Sequence, residues 1–308
     1  MNFGIIGFGH VVESYACAGI AGAGGRVVAL SVRTRGRAAE LARRHGVPRG
    51  YEESEALVAD PAVEAVLVAS PSPYHARHVA LAARAGKHVL CEKPLALSSG
   101  DAQAMAAVCH AAGVQLHVAR PWVFAPLAGG FRDALADLGA LGRVEVVLEK
   151  RAEFPPDQWR RQPGGGGDVL FELAPHCIDM VRAFVGEIEG VAGATGRDLR
   201  GWGILDTATA LITAGGVSCS IHVSFAINSW RGIRARGAKG ATALRQEGDA
   251  WILETPAGEQ RQVLNRYLPQ VRHFIACARG DEQPLAGAEH GVRALEVIEE
   301  VRALIAKM

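Results

Sequence analysis

The sequence predicts two α/β domains, a doubly wound parallel sheet followed by a domain with a largely antiparallel open sheet. Three observations carry this reading. From residue 1 to about 118, short apolar runs alternate with amphipathic stretches, the pattern of strands that return through helices. After Pro121, strand-like runs follow one another across short turns, which requires antiparallel pairing. The chain has 308 residues, more than one typical core accommodates. The boundary is placed at Arg120-Pro121, giving domains 1–120 and 121–308.

Taken in order, Phe3–Ile6 is a short apolar run ending at glycine, and Arg26–Val32 is a second one rich in valine. Gly36–His45 reads as a helix with Ala38, Leu41 and Ala42 on one face. Ala65–Ala69 is continuously apolar, as in a strand covered on both sides. Tyr74–Ala85 is helical and His88–Cys91 is a strand. Ser98 caps a helix to about Ala112, Gly113 stops it, and Val114–Val118 follows as a strand. Past the boundary, helices are expected at Leu127–Leu138 and Ala174–Phe184. Strands are expected at Val144–Glu149, Thr207–Thr213, Val217–Phe225, Ile233–Arg236 and Trp251–Glu254, with a closing helix at Val292–Ala306.

Composition narrows the function classes. Lys+Arg minus Asp+Glu is 33 − 32 = +1, so no global field favours nucleic acid or an anionic membrane. No apolar stretch is long enough to span a bilayer, and the N-terminus begins a strand instead of a signal peptide. Cys17, Cys91, Cys109, Cys177, Cys219 and Cys277 are scattered and form no CxxC. They read as buried thiols in a reducing cytoplasm, and no metal is implied.

The first strand runs directly into Gly7-Phe8-Gly9-His10-Val11-Val12. This matches the first two glycines of the dinucleotide turn of a Rossmann domain, with Val12 in the third place. Gly7 makes the tight turn and Gly9 lets the backbone approach a pyrophosphate, with His10 and Val11 opening the helix behind it. Val12 is expected to push helix and strand slightly apart without removing the anion site. The second strand ends Leu30-Ser31-Val32-Arg33-Thr34-Arg35, with no acid to hold the adenosine ribose. Arg33 and Arg35, with Thr34 between them, can instead meet a 2′-phosphate. NADP(H) is therefore the expected cofactor, with NAD(H) remaining open.

A set of motifs then occurs in order: Ala69-Ser70-Pro71-Ser72-Pro73-Tyr74-His75, Ala85-Gly86-Lys87-His88, and Glu92-Lys93-Pro94. They are followed by Gly165-Gly166-Gly167 and by Glu172-x-x-x-His176-x-x-Asp179. Together these resemble the Gfo/Idh/MocA family of oxidoreductases. The resemblance implies hydride transfer at a carbinol or ketone carbon of a sugar, polyol or related small molecule. It also implies a homodimer or homotetramer assembled through the second sheet.

Carried over by position, Lys93 lies beside nicotinamide and substrate hydroxyl, where a cation stabilises developing alkoxide charge. His176 is the general acid or base, suited by an ordinary imidazole pKa of about 6.5. Glu172 stands where many relatives have Asp, and a helical segment would put it on the face of His176. Ser70, Pro71, His75 and Glu92 are expected to line the dinucleotide cleft. Trp122, Lys150, Trp159 and Asp179 are candidate substrate contacts, as are Arg120 and Arg160. Where relatives often carry an asparagine–arginine pair, this chain reads Arg120-Pro121-Trp122-Val123-Phe124, which leaves the substrate class open. Imine or enamine reduction, and a non-catalytic NADP(H) sensor, stay open as alternatives.

Overall fold

The uninterrupted apolar run Ala65–Val68 is buried at all four positions in the computed structural model, which describes residues 1–307. It forms one strand of a six-stranded sheet: β1 (Asn2–Ile6), β2 (Arg26–Ser31), β3 (Arg49–Tyr51), β4 (Ala65–Val68), β5 (His88–Cys91) and β6 (Leu116–Val118). All pairings are parallel and the order is β3-β2-β1-β4-β5-β6. The strand order reverses between β1 and β4, which opens a crevice at their C-terminal ends. Ser98 caps the helix Ser99–Ala111 by accepting a hydrogen bond from the Asp101 N–H, and Gly113 follows with positive φ.

The chain divides into two compact units, and the first is not continuous in sequence. It comprises Met1–Ala119 and Asn265–Val292. A single cut at residue 120 does not provide for this return. The returning helix Tyr267–Arg279 buries Phe274 against Phe3, with ring centroids 5.8 Å apart. It also presses Tyr267 on Gly19, where an added Cβ would lie 2.5 Å from the tyrosine Cβ. The elements expected from the sequence include no helix here, and the sheet it packs on comes from the other end of the chain. The helical segment carrying Gly19 has a π-helical turn at Val12–Ala16 before Cys17–Gly22. This one-turn widening begins at the buried Val12, where the dinucleotide turn usually has its third glycine.

The second unit comprises Arg120–Leu264 and the residues from Arg293 onward. Its sheet contains β7 (Leu141–Glu149), β8 (Ile188–Arg197), β9 (Thr207–Ala214), β10 (Val217–Ser224), β11 (Arg231–Gly237), β12 (Gly240–Glu247), β13 (Ala250–Thr255) and β14 (Gly258–Val263). The order is β14-β13-β12-β11-β7-β10-β9-β8, antiparallel except for β7 with β10. The helix Ala174–Phe184 packs on β7 and β10. Three strands have no clear signature in sequence. β8 is interrupted by Gly190, Gly193 and Gly196, β14 is exposed throughout and polar up to Val263, and β12 is bounded by turns at both ends. The closing helix starts at Ala288 instead of Val292 and runs through Gly291, whose missing side chain admits Leu95.

Among the described residues no helix is long and apolar enough to cross a membrane. All six cysteines are free, and five of them are buried.

His117 on β6 is buried edge-on to Phe274 and beside the ring of His273. Burial, aided by repulsion from His273 and His88, pushes its pKa down to about 4. The unfolded chain therefore takes up a proton near pH 6.5 that the native state refuses, so stability falls as pH drops from about 6.5 toward about 4. Urea midpoints at about pH 7 and about pH 5 check this. The midpoint is expected to fall on acidification, and to fall less in His117→Phe. An equal fall in both proteins would assign the acid sensitivity to other groups.

Candidate active site

In the first unit the site is built on the loops at the C-terminal ends of β1, β2, β4 and β5. Gly7 has φ +89°, and a Cβ there would lie 2.6 Å from both the Ala69 oxygen and the Ser70 nitrogen. Its N–H donates to the Ser31 carbonyl at 2.8 Å, joining the ends of β1 and β2. Gly9 differs, since a Cβ there would meet no atom within 4 Å. The space beside it is open, at the loop that follows β1. His10 is exposed and shares a hydrogen bond with Ser14, and Val11 opens the helical segment.

Ser70 follows β4 and is held twice. Its hydroxyl bonds His78 Nδ1 at 2.8 Å, and its carbonyl lies 2.9 Å from His75 Nε2. His75 is only 1% exposed, and its Nδ1 reaches the Pro94 carbonyl at 2.8 Å. Burial holds its pKa below the ordinary histidine value, against the upward pull of these backbone groups. Both ring nitrogens thus face protein carbonyls. His75 is a positioning residue that ties the loop after β4 to the loop after β5, and the expectation that it lines the cleft is replaced by this role. Glu92 follows β5 and is half-buried, with its N–H donating to Val68. Lys93 is next, at intermediate exposure, and its peptide bond to Pro94 is cis.

Arg33, Thr34 and Arg35 are exposed after β2. The nearby acid Glu52 comes from beyond β3 and accepts from the Gly36 N–H at 2.7 Å. Arg33 donates to the Tyr74 hydroxyl at 2.8 Å. Tyr74 is not among the site residues expected from the sequence. Its available signal was an aromatic at the end of the turn Ser72-Pro73-Tyr74, which follows the strand beside the crevice.

In the second unit Glu172 ends the short helix Val169–Glu172, and Ala174–Phe184 begins after Leu173. Glu172 and His176 are therefore separated by a helix junction, not by one continuous turn. Asp168 caps the first helix, accepting from the Leu170 and Phe171 N–H groups. Glu172 pairs with Arg160 Nε at 2.9 Å, and the Arg160 guanidinium lies 4.3 Å from the Trp159 ring centroid and 5.3 Å from that of Phe154. Side chains at Gly165 or Gly167 would run into the backbone of Trp159 and Arg160, so the glycines let this turn close. Lys150 is exposed just after β7.

Two candidate substrate contacts take interior roles. Trp122 is 5% exposed and edge-on to Trp251, with centroids 4.8 Å apart. Asp179 is also 5% exposed and pairs with buried Arg120 at 3.0 Å. Burial pushes the Asp179 carboxyl up, while Arg120 and Arg182 pull it down. A mixed donor group, His273, Cys277 and Glu282, also gathers in the first unit. Its imidazole is engaged within the fold, with Nδ1 on Glu282 and Nε2 accepting from the Leu285 N–H.

Residues 1–120 match the family model described as the oxidoreductase family, NAD-binding Rossmann fold, and residues 133–243 match the GFO/IDH/MocA C-terminal domain. A 1,5-anhydro-D-fructose reductase from Ensifer adhaerens is 29% identical over 310 residues, covering 96% of this chain and 93% of that protein. A trans-1,2-dihydrobenzene-1,2-diol dehydrogenase from Oryctolagus cuniculus is 34% identical over 229 residues, 71% of this chain and 67% of its own length. Among solved structures, a levoglucosan dehydrogenase in complex with NADH and levoglucosan superposes with a TM-score of 0.88 at 21% identity, covering 100% of this chain and 97% of that one. A 3-ketoreductase from Actinomadura kijaniata in complex with NADP and TDP-benzene gives 0.86 at 23%, covering 99% and 97%.

Removing the carboxylate in Asp179→Ala leaves the Arg120 charge buried and is expected to cost about 3–5 kcal/mol of folding stability. Chemical denaturation measures this, and a loss below about 1 kcal/mol would mean that water reaches the pair.

Proposed function

The chain belongs to the Gfo/Idh/MocA oxidoreductase family, and from that premise we propose that it is an NADP(H)-preferring dehydrogenase or reductase. Its substrate is a sugar, polyol or related small molecule with a reactive carbinol or ketone carbon. The observation that carries the reading is the crevice between β1 and β4. Gly7 closes tightly on Ala69 and Ser70, Gly9 leaves room for a pyrophosphate, and Glu92-Lys93 follow β5 at the same edge of the sheet. The bound dinucleotide supplies the hydride donor or acceptor.

The protein's own residues handle charge and protons. By their places in the family motifs, Lys93 is assigned to steadying negative charge and His176 to proton transfer. Glu172, held by Arg160, orients this machinery or contacts a substrate hydroxyl. Preference for the 2′-phosphate is supported by the exposed Arg33 and Arg35 and by the lack of an acid at the end of β2. The substrate class is supported by the similar proteins, a 1,5-anhydro-D-fructose reductase and a trans-1,2-dihydrobenzene-1,2-diol dehydrogenase. The same reading has the chain working in the cytoplasm as a homodimer or homotetramer joined through the second sheet, where β9 exposes Leu211.

Fluorescence titration is expected to show NADPH binding at least about tenfold more tightly than NADH. Tighter binding of NADH would refute the preference. Lys93→Ala is expected to bind NADPH within a few-fold of the parent while losing about 10²–10⁴-fold in turnover. An NADPH-oxidation screen against ketosugars, inososes and cyclic imines supplies the activity for that comparison. A Lys93→Ala protein with undiminished turnover would remove the lysine from the chemistry.

A further inference from the structure

We infer that Tyr74 and Arg33 form a clamp for the 2′-phosphate of the cofactor, with Tyr74 as a specificity-determining residue. This deepens the cofactor preference proposed above and rests on it.

The inference starts from the partner of one exposed arginine in the first unit. Arg49 pairs with Asp60 and Arg77 with Glu55, so those charges are balanced by carboxylates, whereas Arg266 lies over the Tyr15 ring. Arg33 is of the second kind. Among the described residues its partner is the neutral phenol of Tyr74, which accepts a hydrogen bond from Nη1 at 2.8 Å. The guanidinium also lies 5.4 Å from the centroid of the same ring. A phenol and a ring face hold a guanidinium in place without cancelling its charge. An exposed arginine otherwise loses rotamer freedom on meeting a ligand, and this one is already oriented. A phosphate monoester carries close to two negative charges and suits such a cation. The Tyr74 hydroxyl accepts from Arg33, so its own proton remains to donate to a phosphate oxygen.

The surroundings place this pair at the adenosine end of the site. Tyr74 stacks on His78, with centroids 6.2 Å apart and planes 27° from parallel. His78 Nδ1 is bonded to Ser70, and Ser70 lies against Gly7. Burial pushes the His78 pKa down to about 4, so at neutral pH it adds no second charge under the tyrosine. The row Ser70, His78, Tyr74, Arg33 therefore runs from the pyrophosphate turn to the end of β2. That is the path of the adenosine half of a dinucleotide on a sheet of this order. Tyr74 is 37% exposed on a turn, so replacing it by Phe or Ala leaves the core untouched.

The test is a titration of the whole protein with NADPH and NADH, and with 2′,5′-ADP against 5′-AMP to isolate the adenosine end. Tyr74→Phe keeps the ring and is expected to weaken NADPH and 2′,5′-ADP about tenfold, with NADH and 5′-AMP within about twofold. Tyr74→Ala is expected to exceed that loss, and Arg33→Ala to lose about 10–150-fold for the 2′-phosphorylated ligands alone. If Arg33→Ala abolishes the discrimination while both tyrosine variants retain it, the clamp is wrong and the cofactor preference stands. If the tyrosine variants weaken all four ligands equally, Tyr74 is only a wall for adenosine and the clamp is again overturned. If Arg33→Ala leaves the NADPH/NADH ratio at the parent value, Arg33 does not read the 2′-phosphate and the clamp is overturned, whereas a parent that binds NADH more tightly than NADPH refutes the preference itself.

Discussion

Position 7 has no room for a side chain. A Cβ would fall 2.6 Å from the Ala69 carbonyl oxygen and the Ser70 amide nitrogen, and the residue has φ +89°. Both conditions favour glycine, one sterically and one conformationally. The contact brings the end of β1 against the end of β4, and the other loops of the crevice are referenced to that contact. Ser70 is gripped by His75 through its carbonyl, and the same imidazole reaches Pro94 beside Lys93. A lysine expected at the reacting carbon and a glycine expected at the pyrophosphate are therefore linked through one buried ring. An imidazole kept neutral by burial has one N–H, so it donates fully to only one of its two carbonyl partners at a time.

Charge is managed in three distinct ways, and each suits its place. Arg120 and Asp179 are both buried, where an unmatched charge would be costly, and they neutralise each other. Arg160 lies between aromatic rings and holds Glu172, so its charge is spent on orienting one carboxylate. Arg33 is held by a phenol and remains electrostatically available. Counting arginines in the sequence does not separate these cases. The nature of the partner separates them, and Asp179, Glu172 and Tyr74 each lie on a different element from the arginine they meet.

The glycines divide in a similar way. Gly165 and Gly167 are needed because the chain folds back on the turn of Trp159 and Arg160, so their role is internal to the protein. Gly9 faces open space, so no packing contact within the protein requires it to be glycine. A glycine run and a glycine turn look alike in sequence, although one supports a side chain and the other receives a backbone approach.

The sequence by itself determined the parallel first sheet, most of its strands and helices, the dinucleotide turn and the family motifs. These are local signals, being apolar period, caps and short spacings along neighbouring residues. It missed β8 and β14, where glycine and polar residues remove the apolar alternation that marks a strand. The return of residues 265–292 to the first unit was also hidden, since an apolar helix face does not name the surface that covers it. The opening turn is the clearest case of the division. Its GxG spacing was legible in six residues, but the tightness of Gly7, the openness of Gly9 and the hold of Tyr74 on Arg33 were decided by tertiary structure. Those properties belong to pairs of segments far apart in the chain, and only folding brings their atoms within reach of one another.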